Sequence, residues 1–206
     1  MPPVSDAQRE RQVLVDLFDR LGPEAPTLCS GWTTQDLAAH LVVREHRPDS
    51  GPGLVWAPLA GYTERVRRSA RDRMTWPELV ETVRRGPPAL LRPFDPAMNT
   101  VEFFIHVEDV RRAQPAWEPR ALSPSLADAL WRRVGPGGMA RAIGATVEVT
   151  SPGREPKVAG TGPSMVVGGD PGELTLFGSG RQRAARVELS GDDALMARLR
   201  SVPLGI

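Results

Sequence analysis

Residues 99–113 read NTVEFFIHVEDVRRA, and the fold turns on how this stretch is read. Val101, Phe104, Ile105 and Val110 recur at helical spacing and can face a core; Asn99 or Thr100 opens the helix and Pro115 closes it. Glu102 and His106 interrupt the helix four positions apart. Side chains at that separation leave one helix face with Cβ atoms about 5–6 Å apart, a gap that one divalent ion can span. Asp109 lies three residues further on, on roughly the same face. It either accepts the second ring N–H of His106, as the outer partner of a metal-bound histidine does, or pairs with Arg111 or Arg112.

Working outward toward the N-terminus, SGWTTQDLAAHLVVREHRPDSG (residues 30–51) gives a second helix. Thr33 caps it, Asp36 points back at the first-turn amides, and the helix runs to about His46 because Pro48 forbids much more. The chain has three histidines, and His40 and His106 both fall in mid-helix. If these two helices pack in one bundle, His40, Glu102 and His106 close three positions around a divalent metal and leave others open. Taken singly, each residue also reads as a core histidine satisfied by a carboxylate, or as a plain helix pair. His46 follows His40 by six positions and turns to another face. Asp36 is better explained as a cap than as a fourth ligand.

Three more helices precede residue 99 or surround these two. Ser5 starts DAQRERQVLVDLFDRL, whose Val13, Leu14, Leu17, Phe18 and Leu21 form one stripe and which ends at Gly22-Pro23. Leu54 to Arg73 has helical spacing, and Thr75 caps WPELVETVRRG, with Gly86 at the stop. Ser123-Pro124 starts another helix, and GPGG breaks the run before MARAIG. The character changes near Gly144. ATVEVTS and ARVELSG alternate as strands do, PGREP suggests a turn, PGELTLFGSG is a short helix, and Asp192 caps DALMARLRS. The reading is α+β: a helical bundle over residues 1–143 and a small α/β domain over 144–206.

Composition fits such a chain. Of 206 residues, 40% are hydrophobic and 25% charged, enough to build a core. With 26 basic and 25 acidic residues, no global field draws the chain to nucleic acid or to a membrane surface. Arginines 65, 67, 68, 71 and 73, interleaved with Glu64 and Asp72, read as a solvated helix face. A single cysteine, Cys29, excludes an internal disulfide and reads as a small buried packing residue. The charged N-terminus and the lack of a long apolar run point to the cytoplasm. GGDPGE lacks the lysine of a phosphate loop, and GPGG has no strand before it.

The segment from Cys29 through Trp32, Thr33 and Asp36 to His40-Leu41, together with Glu102-x-x-x-His106-x-x-Asp109, resembles the mycothiol-dependent maleylpyruvate isomerase family of the DinB-like metal-binding superfamily. GELTLFGSGR and ARVELSGDD resemble that family's small C-terminal domain, which is similar to sterol-carrier folds, while REHRPDS (44–50) resembles an actinobacterial subgroup of the superfamily. The resemblance implies a DinB-like antiparallel four-helix bundle in which His40, Glu102 and His106 hold a divalent metal, usually zinc. It also implies mycothiol as a cosubstrate whose thiolate adds to an electrophilic carbon, for transfer or isomerisation. Arg181 and Arg183 fall in the region that binds thiol or substrate in such enzymes. GPGLVWAPLAGY (51–62) falls where a pocket wall is expected and departs from the isomerase, which sets maleylpyruvate aside as the substrate. The partners implied are a small-molecule thiol and an electrophile, with the chain a monomer or homodimer. The alternative is a non-catalytic, metal-dependent binding or regulatory module on the same bundle.

Overall fold

The computed structural model describes residues 4–47, 57–90, 92 and 95–205. The chain divides into two compact units, Met1–Pro119 and Arg120–Ile206. The first holds α1 (Asp6–Leu21), α2 (Thr34–His46), α3 (Ala57–Arg73), α4 (Trp76–Arg85) and α5 (Asp95–Arg111). Residues 51–56 of the expected pocket wall lie outside the described residues.

The local signals set the helix ends. Ser5 and Gln8 form a capping box at α1, Thr33 and Asp36 form one at α2, and Thr75 and Glu78 form one at α4. Four helices share one core: Leu14, Val15 and Phe18 of α1, Leu37, Ala38 and Leu41 of α2, Leu79, Val80 and Val83 of α4, and Phe103, Val107 and Val110 of α5. Ala70 and Met74, in and just after the last turn of α3, pack against its edge. The buried stripe of α5 is therefore centred on Phe103 and Val107; Val101 and Ile105, expected to face the core, are only half-buried. The helix also begins a turn earlier than Asn99, because Pro96 sits in its first turn, where no N–H is needed.

The second unit holds α6 (Pro124–Arg133), α7 (Gly137–Ile143), β1 (Thr146–Thr150), β2 (Lys157–Ala159), β3 (Ser164–Gly168), α8 (Pro171–Gly178), β4 (Glu188–Gly191) and α9 (Asp193–Ser201). The strands form one mixed sheet in the order β2-β1-β3-β4, with β1 and β3 parallel and the other pairs antiparallel. Val147 pairs with Met165 and Val149 with Val167, all four buried beneath Leu174 and Phe177. Gly160 leaves β2 at φ +96, where a Cβ would lie 2.1 Å from the carbonyl oxygen of Ala145. Only glycine fits there.

The division falls at residue 119, earlier than the expected boundary at residue 143. Trp131, Val134, Met139, Ala140 and Ile143 of α6, α7 and the turn between them share a core with the sheet residues. Lys157, the one lysine, fastens this arrangement: its Nζ donates to the carbonyls of Trp131 and Val134 at 2.5 and 2.8 Å, at the C-terminal end of α6. Among the described residues, no helix is long and apolar enough to cross a membrane.

Candidate metal centre

The candidate site lies wholly in the first unit, between α2 and α5. His40 is on the buried side of α2 and points at Glu102, which stands on α5 one turn before His106. A single oxygen, Glu102 Oε1, lies 3.3 Å from His40 Nε2 and 3.2 Å from His106 Nε2. The two imidazoles meet edge to face, with ring centroids 5.3 Å apart. Arg44, four positions after His40 on the same face, brings its Nε within 3.2 Å of the same oxygen and its Nη1 onto Asn99 Oδ1.

The two histidines are held differently. His106 Nδ1 donates to Asp109 Oδ2 at 2.9 Å, and the Cys29 thiol donates to that oxygen at 3.2 Å. Arg111 and Arg112 pair with Glu108, at 2.7 and 2.6 Å. His40 is held by packing, with the Trp32 ring centred 5.3 Å from its own and the Arg67 guanidinium over that indole at 4.7 Å. Arg67 in turn pairs with Asp36 at 2.5 Å, so Asp36 belongs to the cap and to this ion pair, apart from the histidines.

Electrostatics follow from these contacts. Burial disfavours a charged His106, but its hydrogen bonds with Asp109, Cys29 and Glu102 outweigh burial and raise its pKa well above the ordinary value. Burial pushes the Glu102 carboxyl up, yet His106, His40 and the nearby Arg44 charge bring it far below the usual carboxylate range. For His40 burial prevails, and its pKa is lowered. The structure without an ion is therefore satisfied by a His106 that carries protons on both nitrogens, since carboxylates only accept.

The same atoms fit a divalent cation. Metal–ligand bonds of about 2.0–2.1 Å in a tetrahedron separate neighbouring ligand atoms by about 3.3 Å, which is the spacing seen around Oε1. The ligand atoms of His40, Glu102 and His106 all lie within 4.8 Å of one another. Charge agrees as well. The cluster continues through Asn99 to Glu45, Asp95 and Arg11, so Arg11 and Arg44 face three carboxylates, Glu45, Asp95 and Glu102. The one negative charge left over among these five is met by the His106 cation in the hydrogen-bonded state, and a divalent ion would meet it in that cation's place. Cys29, His106 and Asp109 form a second group of the same kind on the other ring nitrogen.

The remaining expectations fall elsewhere. Arg181 and Arg183 follow α8 in the second unit, where Arg181 Nη1 donates to the Ser179 carbonyl at 2.6 Å and Arg183 is exposed in a turn. His46 ends α2, away from the other histidines, and its Nε2 is buried without a hydrogen-bond partner among the described residues. Cys29 is half-buried and hydrogen-bonded to the site, so its reading as a buried packing residue is corrected. Arg44 carries one sequence signal of its place here, its i+4 spacing from His40.

Asp109→Asn keeps the shape of the side chain and removes its charge. Cobalt affinity, measured by chelator competition, is expected to fall about 10–100-fold, the usual effect of altering a histidine's outer partner. Unchanged affinity would remove Asp109 from the site. Compared with known proteins, the chain matches no family model, no curated protein and no solved structure.

Proposed function

We propose that this chain is a divalent-metal protein of the DinB-like, thiol-dependent kind, a transferase or isomerase that uses mycothiol against an electrophilic small molecule in the cytoplasm. The observation that carries the reading is the convergence of His40 Nε2 and His106 Nε2 on one oxygen of Glu102, at 3.3 and 3.2 Å, from two different helices. These three residues would hold the metal, with zinc the expected ion. A divalent cation at this position favours thiolate over thiol, and thiolate is the nucleophile. The chain's own residues set the stage: Asp109 holds the Nδ1 proton of His106, Trp32 fixes the plane of His40, and Arg44 keeps Glu102 ionised. The four-helix bundle is read as DinB-like and the second unit as sterol-carrier-like.

A second reading has its own support, because the spacings of His40 and His106 to Glu102, and of His106 to Asp109, are also hydrogen-bond distances. In that case His106 is a buried cation satisfied by Asp109 and Glu102, and no metal enters. Elemental analysis of protein purified without a His-tag, followed by cobalt loading and addition of mycothiol, separates the readings. One metal per chain and a new near-ultraviolet sulfur-to-cobalt band are expected. A loaded protein whose spectrum ignores the thiol points to a binding module instead, and a chain that takes up no metal returns the cluster to the hydrogen-bonded reading.

A further inference from the structure

The side chains around the site are not equally covered. Asp109 is 0% exposed and His106 8%, whereas His40 is 13%, Arg44 20% and Glu102 26% exposed. Glu102 and Arg44 therefore form the more exposed edge of the cluster, and Asp109 its covered edge. Arg44 is fixed there: its Nη1 is bonded to Asn99, whose amide nitrogen donates to Glu45 at 2.9 Å and Asp95 at 2.7 Å. Such a braced guanidinium cannot swing away.

From this placement we propose that Arg44 is the selectivity residue of the site, and that the centre admits anionic ligands, carboxylates or thiolates, in preference to neutral or cationic ones. The inference rests on the metal reading and adds the charge class of what binds. Its mechanism is Coulombic and acts through space, so it requires no spare donor on Arg44. A fixed positive charge beside a partly desolvated coordination position favours an incoming anion and leaves a neutral donor unaffected.

The test compares azide, an anion, with imidazole, a neutral donor, each titrated into the cobalt-loaded full chain at constant ionic strength and followed by visible spectrum. In Arg44→Gln azide affinity is expected to fall about tenfold, the worth of one nearby charge under partial screening. Imidazole affinity stays, and Arg44→Lys retains most of the azide affinity. Equal effects on both probes, or none on either, overturn the proposal. If Arg44→Gln loses cobalt while Arg44→Lys keeps it, Arg44 serves to hold Glu102 and the selectivity role is overturned. Failure of the unsubstituted chain to take up cobalt is a different result: it removes the metal reading itself, and this inference with it.

Discussion

Replacing Arg11 with methionine is expected to destabilise the first unit by about 3–5 kcal/mol, read as an early midpoint in urea unfolding, because it strands two carboxylates in the bundle interior. Arg11 Nη2 lies 2.6 Å from Glu45 and 2.7 Å from Asp95, and Nη1 lies 2.8 Å from the other Glu45 oxygen and 3.0 Å from the Val83 carbonyl. The side chains are only 3–7% exposed, so water cannot replace the guanidinium. Its other face covers Phe103 at 4.2 Å. Lysine cannot substitute, since one ammonium cannot present this fork. The close fit extends to Gly86, at φ +73, where a Cβ would press on Arg11 Cζ at 3.3 Å. Adding Glu45→Gln and Asp95→Asn to Arg11→Met is expected to recover much of the loss, because the cost comes from unpaired charge more than from lost contact. A loss below about 1 kcal/mol for Arg11→Met alone would mean that the network is not closed as described.

This network was the least legible part of the sequence. Glu10 and Arg11 lie in a polar run, DAQRER, whose composition argues for solvent, although both sit one turn back along the stripe of Leu14, Leu17 and Phe18, and both are buried. For Arg11, partners 34 and 84 residues away satisfy the buried charge, and local pattern carries no record of them. What depends on neighbours in sequence was readable. Ser5, Thr33, Thr75, Ser123 and Asp192 stand at helix starts as their spacing predicts. Strands β2 and β3 are not legible locally, because a three-residue strand has no measurable alternation and SMVVG is flanked by the glycines of TGPSMVVGGD. The early unit boundary has a similar origin. A helix's stripe says which side of α6 and α7 is buried, but not that the sheet is what buries it. At the candidate site, the i+4 pair of Glu102 and His106 was local and therefore visible. The approach of His40 was an inference from bundle packing, and the roles of Trp32, Cys29 and Arg44 needed coordinates.

Metal uptake at pH 7 is expected to expel about one proton per chain, and affinity is expected to rise nearly tenfold per pH unit as long as His106 is protonated in the metal-free protein. The sign follows from the two imidazoles. His40, whose pKa is lowered from 6.5, is already neutral at pH 7 and gives up no proton. His106, raised well above 6.5, holds its second proton on Nε2, the atom that must face the ion. Stability without metal runs the opposite way. The contribution of His106 is complete below 6.5 and is lost as pH climbs through its higher folded value, whereas that of Glu102 is present above 4.5 and fades as acid reaches its depressed one. His40 favours its neutral form, so its contribution is present above 6.5 and lost as pH falls through its lowered value. Raising pH therefore weakens the His106 support of the metal-free protein while it strengthens metal binding, and the rise in melting temperature on adding metal should widen with pH. Calorimetric titration in two buffers of different ionisation enthalpy measures the proton directly. His106→Gln is expected to abolish uptake and release together, since it removes both the ligand and the proton it exchanges. Uptake that releases no proton would show His106 neutral beforehand, and the raised pKa assigned to its contacts with Asp109 and Glu102 would have to be abandoned.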